Sequence, residues 1–139
     1  MILDKHLALS EAQVLTATAA STNVVDLGAA RQIGLSGGLY ALVSVPTALV
    51  SAGATTLQVT LQNDSAEAFG SATDLFTSVA IPKATLVAGY QFAIPIPVSG
   101  MKRYMRVNYT VATGPFTGGA ISCQIIKGLQ ADNAYPDAL

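Results

Sequence analysis

The sequence predicts an all-β protein, a single-domain antiparallel sandwich or barrel of about eight short strands. Apolar and polar residues alternate with a period of two through most of the 139 residues. Clusters of Gly, Pro, Asn, Asp and Ser interrupt this alternation at intervals of roughly ten residues, as turns between short strands do. No window combines a sustained helical stripe of apolar residues with helix caps, so the sequence does not predict a helical fold.

Four segments carry the clearest alternation, namely 39–45, 56–62, 103–111 and 120–127. The residues expected to face the core are Leu39, Ala41, Val43, Val45, Leu57, Val59, Leu61, Met105, Val107, Tyr109, Val111, Ile121, Cys123 and Ile125. Segment 39–45 is also mostly apolar on its other face, which is typical of a central strand or of one covered by a partner. Weaker strand candidates are 13–18, 22–26, 74–79 and 91–96, and the Gly-rich segment 112–119 is expected to be a loop.

The predicted domain spans residues 13–127 and is flanked by two segments with little strand pattern. Residues 1–12 form the predicted N-terminal arm, and residues 128–139 form the predicted C-terminal tail. Ends of this kind are either disordered or dock on a neighbouring subunit. No internal repeat or shift in composition indicates a second domain.

The composition is low in charge. Charged residues make up 11% of the chain, against about 25% in typical soluble domains. Hydrophobic residues make up 51%, and the formal net charge is −1. No long-range field would attract this domain to nucleic acid or to an anionic membrane, so neither is an expected partner. A surface of this kind suits a secreted module or a subunit that is largely covered by its neighbours.

The residues that indicate a cellular compartment favour a protein made in the cytoplasm. The N-terminal stretch MILDKHLALSEAQ lacks the basic leader and apolar run of a secretory signal. No stretch reaches the roughly 18 continuous apolar residues that a membrane span requires. Cys123 is the only cysteine, so no intrachain disulfide can form, which favours a reducing environment. We therefore expect a soluble protein made inside the cell.

The residue types that carry catalysis are sparse. His6 is the only histidine and lies in the predicted arm, and Cys123 is expected to face the core, so neither indicates a nucleophile with its base. Asp64, Glu67 and Asp74 match no calcium loop and are expected to lie in a solvated loop between strands. One His and one Cys cannot supply a zinc site, and no phosphate-binding glycine motif is present. The sequence therefore predicts neither an enzyme nor a cofactor or metal.

The densest positive charge lies in KRYMRVNYTV, residues 102–111. Lys102, Arg103 and Arg106 interleave with tyrosines, as in proteins that bind single-stranded nucleic acid. Such proteins line a whole groove with positive charge, whereas this chain has seven basic residues in all. We expect Arg103 and Arg106 to pair with carboxylates instead, either in this subunit or in a neighbour.

Several stretches in order carry a family resemblance: MILDKHLALSEAQ, TATAASTNVVDLG, LYALVSV, TLQVTLQNDSAEAFGSATDLFTSVAIP, AGYQFAIPIP, RYMRVNYTVATGPFTGGAIS and GLQAD. Their order resembles the small capsid cement (decoration) proteins of tailed bacteriophages, such as the cement protein of a Bordetella phage. The resemblance implies a jelly-roll subunit without cofactor or catalysis. It also implies that the subunit sits on the outer surface of the expanded shell, associates with itself at symmetry axes as a dimer or trimer, and bridges adjacent major capsid proteins.

The resemblance supplies no active-site residues, so the candidate residues come from the chain itself. Lys102, Arg103, Arg106 and Tyr135 are the candidate contacts with the capsid or with another subunit. The alternative function is a carbohydrate- or receptor-binding β-module of a phage tail or fibre. That alternative predicts solvent-facing aromatic residues clustered at one loop end, whereas those of this chain are dispersed along the sequence.

Overall fold

The computed structural model describes residues 4–31, 38–97 and 99–127 of the chain. The strands in chain order are β1 (Ala8–Val14), β2 (Ala19–Ala20), β3 (Val25–Asp26), β4 (Leu39–Val50), β5 (Thr56–Asp64), β6 (Thr73–Thr77), β7 (Ile81–Pro82), β8 (Gln91–Pro95), β9 (Tyr104–Ala112) and β10 (Gly118–Lys127). One 3₁₀ turn, Lys5–Leu7, precedes β1. In the described ranges no helix has the length and apolar character needed to cross a membrane.

The strands form two antiparallel sheets in a nested order. One sheet has the order β1-β10-β4-β8, and the other has the order β2-β9-β5-β6, with β3 also paired to β9 and β7 to β5. The first strand pairs with the last, β2 and β3 with β9, β4 with β8, and β5 with β6. This is the pattern of one long hairpin rolled into two sheets, which is a jelly roll. The predicted fold class is confirmed.

The predicted core faces are confirmed in the long strands. Leu57, Val59 and Leu61 of β5 are fully buried and belong to the same core as the alternate residues of β9 and β10. Strand β4 lies between β10 and β8, so the prediction of a central strand is confirmed. Leu42, on the second face of β4, is buried as well.

The first strand begins inside the predicted N-terminal arm. Strand β1 starts at Ala8 and pairs with β10, whereas the predicted domain begins at residue 13. The register between the two strands shifts twice, and Ala12 adopts a positive φ of 45°. These irregularities interrupt the period-two alternation, so the sequence pattern did not indicate a strand there. Residues 1–3 and the predicted tail, 128–139, lie outside the described residues.

The two ends of the sandwich differ in charge, and each is defined here by its connecting segments. The charge-poor end consists of residues 14–18, 47–55, 79–90 and 112–118. The charged end consists of residues 4–7, 26–31, 64–73 and 99–104. Antiparallel pairing places these segments at opposite ends, because β4 and β9 run from the charged end to the charge-poor end while β5 and β10 run back.

Candidate interaction surfaces

An exposed ion pair anchors the predicted basic stretch at the charged end. The pairing of Asp26 with Tyr104 across β3 and β9 brings the Asp26 carboxylate beside Arg103. Arg103 Nε donates to Asp26 Oδ1 at 2.8 Å, and its Nη2 donates to Oδ2 at 3.0 Å. The hydrogen bond from Arg103, reinforced by the N–H of Gly28, lowers the pKa of Asp26 to about 2. The predicted pairing of Arg103 with a carboxylate is confirmed.

Arg106 lies on the outer face of β9 and has different partners. Its Nε donates to Gln62 Oε1 at 3.0 Å, and its guanidinium carbon lies 4.3 Å from the centre of the Phe69 ring. Arg106 forms no salt bridge with any described residue, so its predicted carboxylate partner is not among residues 4–31, 38–97 and 99–127 of this subunit. Stacking on a ring leaves part of the guanidinium edge available to a further acceptor.

The Asp64 carboxylate organises the loop near Lys102. Asp64 accepts hydrogen bonds from the backbone N–H groups of Ser65 at 2.6 Å and Ser71 at 2.9 Å. The hydrogen bond from Ser71 lowers the pKa of Asp64 against the opposing effect of burial. Lys102 Nζ donates to Thr73 Oγ1 at 2.8 Å, which ties the start of β9 to the same loop. Among the described residues no three His, Cys, Asp or Glu side chains lie close enough to hold a metal ion.

The sequence candidates for catalysis are not brought together. Cys123 is fully buried on the inner face of β10, and burial raises the pKa of its thiol to about 12, so the nucleophilic thiolate is scarce at neutral pH. His6 lies in the 3₁₀ turn before β1, where its backbone N–H donates to Asp4 Oδ1. Tyr135, the fourth predicted contact residue, lies outside the described residues.

The charge-poor end holds most of the exposed large apolar side chains of the described residues. Val14, Val50, Val79 and Val87 expose 70%, 51%, 80% and 52% of their surface. The segments that form this end contain a single charged residue, Lys83, whereas the whole chain has seven basic and eight acidic residues. Lys83 Nζ donates to the Ser51 carbonyl at 2.7 Å. Exposed apolar patches that lack charge mark interaction sites more often than they mark open solvent.

A groove runs along this end between the last residues of β4 and the connection from β7 to β8. It has a volume of about 240 Å³ and is lined by Ala48, Leu49, Val50, Ser51, Lys83, Ala84, Leu86 and Val87. Backbone hydrogen bonds from Leu49 to Leu86, from Gly89 to Val45 and from Lys83 to Thr55 hold its walls. The groove is therefore formed before any partner binds.

Sequence reasoning pointed to the charged end and missed the charge-poor end. The basic residues are conspicuous in the sequence, whereas an absence of charge is spread over four separate segments. The signal was one of composition: the four connecting segments that form this end contain no Asp, Glu or Arg. Only the alternating direction of antiparallel strands brings these connections together.

A comparison with known protein families found a match over most of the chain. The family model described as Bbp16 matches residues 9–125 of the chain, which include nearly all of both sheets. A search of curated proteins found no match. Bbp16 is the name of a Bordetella phage protein, so the match indicates a phage-associated protein. Because the match covers most of the sequence, this protein belongs to the Bbp16 family.

Proposed function

We propose that this protein is a cement subunit that binds the outer surface of an expanded phage capsid. In this role it bridges adjacent major capsid proteins and stabilises the shell. It is made in the host cytoplasm, reaches the virion as a folded domain, and carries no catalytic function. The observation that carries the proposal is the separation of its surface into a charge-poor end and a charged end, within a family named after a phage protein.

The two ends suit a subunit with several neighbours. Interfaces that persist are depleted in charge at their centre, and the charge-poor end has that composition. The charged end presents Lys102 beside a loop organised by Asp64, and Arg106 of the adjoining strand β9 stacks on Phe69 of that loop. This arrangement suits polar contacts that fix the orientation of a subunit on a larger surface. In a free monomer the four exposed valine side chains remain in water, so they add nothing to its stability.

The stabilising mechanism follows from multivalent binding. A subunit that contacts two capsid proteins, or an oligomer that contacts several, binds far more tightly than one contact allows, by about 10²–10⁴-fold. If the binding surface exists only on the expanded lattice, each bound subunit favours that lattice by mass action. The shell then resists heat without any chemical reaction at the subunit.

The deciding experiment is the copy number of this protein in purified virions. Quantitative mass spectrometry would measure it against the major shell protein. A ratio near one, or a simple fraction set by lattice symmetry, supports the proposal. A few copies per particle would assign the protein to the tail, fibre or portal and so favour the carbohydrate- or receptor-binding alternative, whereas its absence from virions would contradict both functions.

A second experiment tests the charged end. Arg106→Glu reverses the charge that stacks on Phe69, and Glu67→Gln alters a carboxylate of the same end. We expect Arg106→Glu to weaken retention on expanded capsids, and Glu67→Gln to leave retention within a factor of about two. Unchanged retention of a folded Arg106→Glu variant removes this residue from the interface.

A further inference from the structure

The sheet that contains β5 and β9 carries a regular row of hydrogen-bonding side chains on its outer face. These two strands pair without a register shift over their whole length, whereas the β1–β10, β4–β10 and β5–β6 ladders each contain a shift. A regular antiparallel ladder places alternate side chains of both strands on the same face, in facing pairs. We call the outward residues of three such pairs the amide face: Gln58 with Thr110, Thr60 with Asn108, and Gln62 with Arg106.

The amide groups of this face are fixed in orientation but keep free polar atoms. Gln58 Nε2 donates to the Ser78 carbonyl at 2.9 Å, and Asn108 Nδ2 donates to Thr110 Oγ1 at 3.3 Å. Among the described residues no donor reaches Gln58 Oε1 or Asn108 Oδ1, and neither oxygen is buried. Each amide nitrogen also keeps a second hydrogen. A ligand can use these groups with little loss of side-chain entropy, because they are already oriented.

The charge of the amide face limits the kinds of ligand that it fits. Arg106 is the one charged residue among the six, and its guanidinium stacks on Phe69. A nucleic acid requires a line of cations along its phosphates, and an extended peptide binds along a sheet edge rather than across a face. Apolar side chains would remove water from the amides without replacing its hydrogen bonds. A suitable ligand is therefore neutral and offers closely spaced donors and acceptors.

A neutral polysaccharide has this chemistry. A hydroxyl group both donates and accepts, so neighbouring sugar hydroxyls can pair with the carbonyl oxygen and the N–H of one amide. Successive pairs of the face lie two residues apart, or about 7 Å, and so offer repeated contacts to an extended chain. The ring of Phe69 is buried beneath Arg106, so hydrogen bonds rather than aromatic stacking would carry the contact.

We propose that the amide face is a binding site for neutral polysaccharides. Each subunit binds with a dissociation constant of ~1 mM, because the net contribution of each hydrogen bond is small. The face lies between the charge-poor end and the charged end, so contacts made by the two ends leave it open to solvent. Many copies on one particle would raise the avidity for a glycan-coated surface. Only this gain in avidity rests on the proposed function, since the isolated chain binds as well.

The test is affinity electrophoresis of the purified full-length chain. Native gels would contain galactomannan, dextran or a mixed-linkage β-glucan, with alginate as the anionic control. The double variant Gln58→Ala/Asn108→Ala removes two amides of the face. The matched control, Gln91→Ala/Gln124→Ala, removes two amides from the outer face of the other sheet. We expect at least one neutral polysaccharide to retard the wild type and the control equally, and the first variant to bind it at least ~10-fold more weakly.

Four results would overturn the proposal. They are no retardation by any of the three neutral polysaccharides at ~10 mM sugar units, retardation by alginate alone, equal losses in the two double variants, and an unchanged affinity of the first variant.

If Gln58→Ala/Asn108→Ala fails to fold, NMR titration of the wild type with the retarding polysaccharide decides. The side-chain NH₂ signals of Gln58, Gln62 and Asn108 should shift, and shifts confined to other residues refute the site. Copy number in virions is measured separately. A chain that binds polysaccharide but is absent from virions refutes only the proposed function, whereas a shell subunit that binds none refutes only the amide-face proposal.

Discussion

Gly119 provides the sharpest test of the fold, because the structure leaves no room for a side chain there. Gly118 pairs with Val50 and Ala120 pairs with Thr47, so Gly119 alone faces two residues of β4. Its φ is +110°, which L-residues rarely adopt. A Cβ atom at Gly119 would lie 2.5 Å from the Ala48 carbonyl oxygen and 2.6 Å from Leu49 Cα. Both neighbours are backbone atoms of a central strand, so neither can rotate away.

The expected cost of Gly119→Ala follows from these two effects. The unfavourable φ costs about 1–3 kcal/mol, and displacing part of β4 costs a further ~1–3 kcal/mol. We expect the free energy of unfolding to fall by about 2–6 kcal/mol, a large share of the ~5–15 kcal/mol typical of such domains. In urea, with a slope near 2 kcal/mol per molar, the unfolding midpoint should fall by roughly 2 M.

The matched control is Gly70→Ala in the loop between β5 and β6. A Cβ atom at Gly70 would have no other atom within 4 Å, and Gly70 has no positive φ. The same substitution should therefore change the free energy of unfolding by less than ~1 kcal/mol. Equal unfolding midpoints for Gly119→Ala and the wild type would refute the packing argument. A large loss of stability for Gly70→Ala would show that replacing a glycine is destabilising in general, independently of the close contact between Gly119 and β4.

Three further predictions follow from buried or paired groups. Asp26 has a pKa of about 2, so it should stabilise the fold above its unfolded pKa near 3.8 and lose that effect as pH falls towards 2. In the Arg103→Gln variant, carboxyl NMR should show the pKa of Asp26 rising towards the ordinary value. An unchanged pKa of Asp26 would contradict this account. Ser10→Ala should lower the free energy of unfolding by about 1–3 kcal/mol and Tyr109→Phe by ~1 kcal/mol, as measured by urea unfolding. Ser10→Ala costs more because it leaves the buried Tyr109 hydroxyl without its hydrogen-bond partner at 2.8 Å. If Tyr109→Phe costs more, the loss of that hydrogen bond is not the cause. Cys123 should resist thiol reagents in the native state and react with them on unfolding. Because burial raises the pKa of its thiol to about 12 in the folded state, the stability of the protein should decline above the unfolded thiol pKa of about 8.5–9. Rapid labelling of the native protein would disprove the burial of Cys123.

The core-facing residues could be predicted from the sequence because each long strand packs one face on the opposite sheet. The alternation in β5, β9 and β10 reports that packing directly, and Leu57, Met105 and Ile121 are all fully buried. Strand β1 escaped detection because its bulges place Ala8, Leu9 and Ser10 in the interior one after another. Period-two reasoning works only where the ladder is regular.

The interaction surfaces were less accessible to sequence reasoning. The pairing of Arg103 with a carboxylate could be expected, but its partner Asp26 is distant in sequence and is brought close only by the β3–β9 pairing. The contact of Arg106 with Phe69 depends on a loop in which Phe69 adopts a φ of 52°. Gly118 and Gly119 were expected in a loop, yet they begin β10, because a bulge of β4 requires a residue without a side chain.

The pairing of β1 with β10 also governs the order in which the protein can be made. Among the described strands β10 is the sheet partner of β1, so the first strand of this domain cannot join a ladder until the last one has been made. Until synthesis has passed residue 127, the apolar side chains of β1 and the unpaired edge of β4 remain open to other chains. The β1–β10 ladder can therefore form only after residue 127 has been synthesised, and the many pairings between distant strands should make folding slow for a domain of this size. A chain shortened within 118–127 should aggregate during expression, even though every earlier strand is intact.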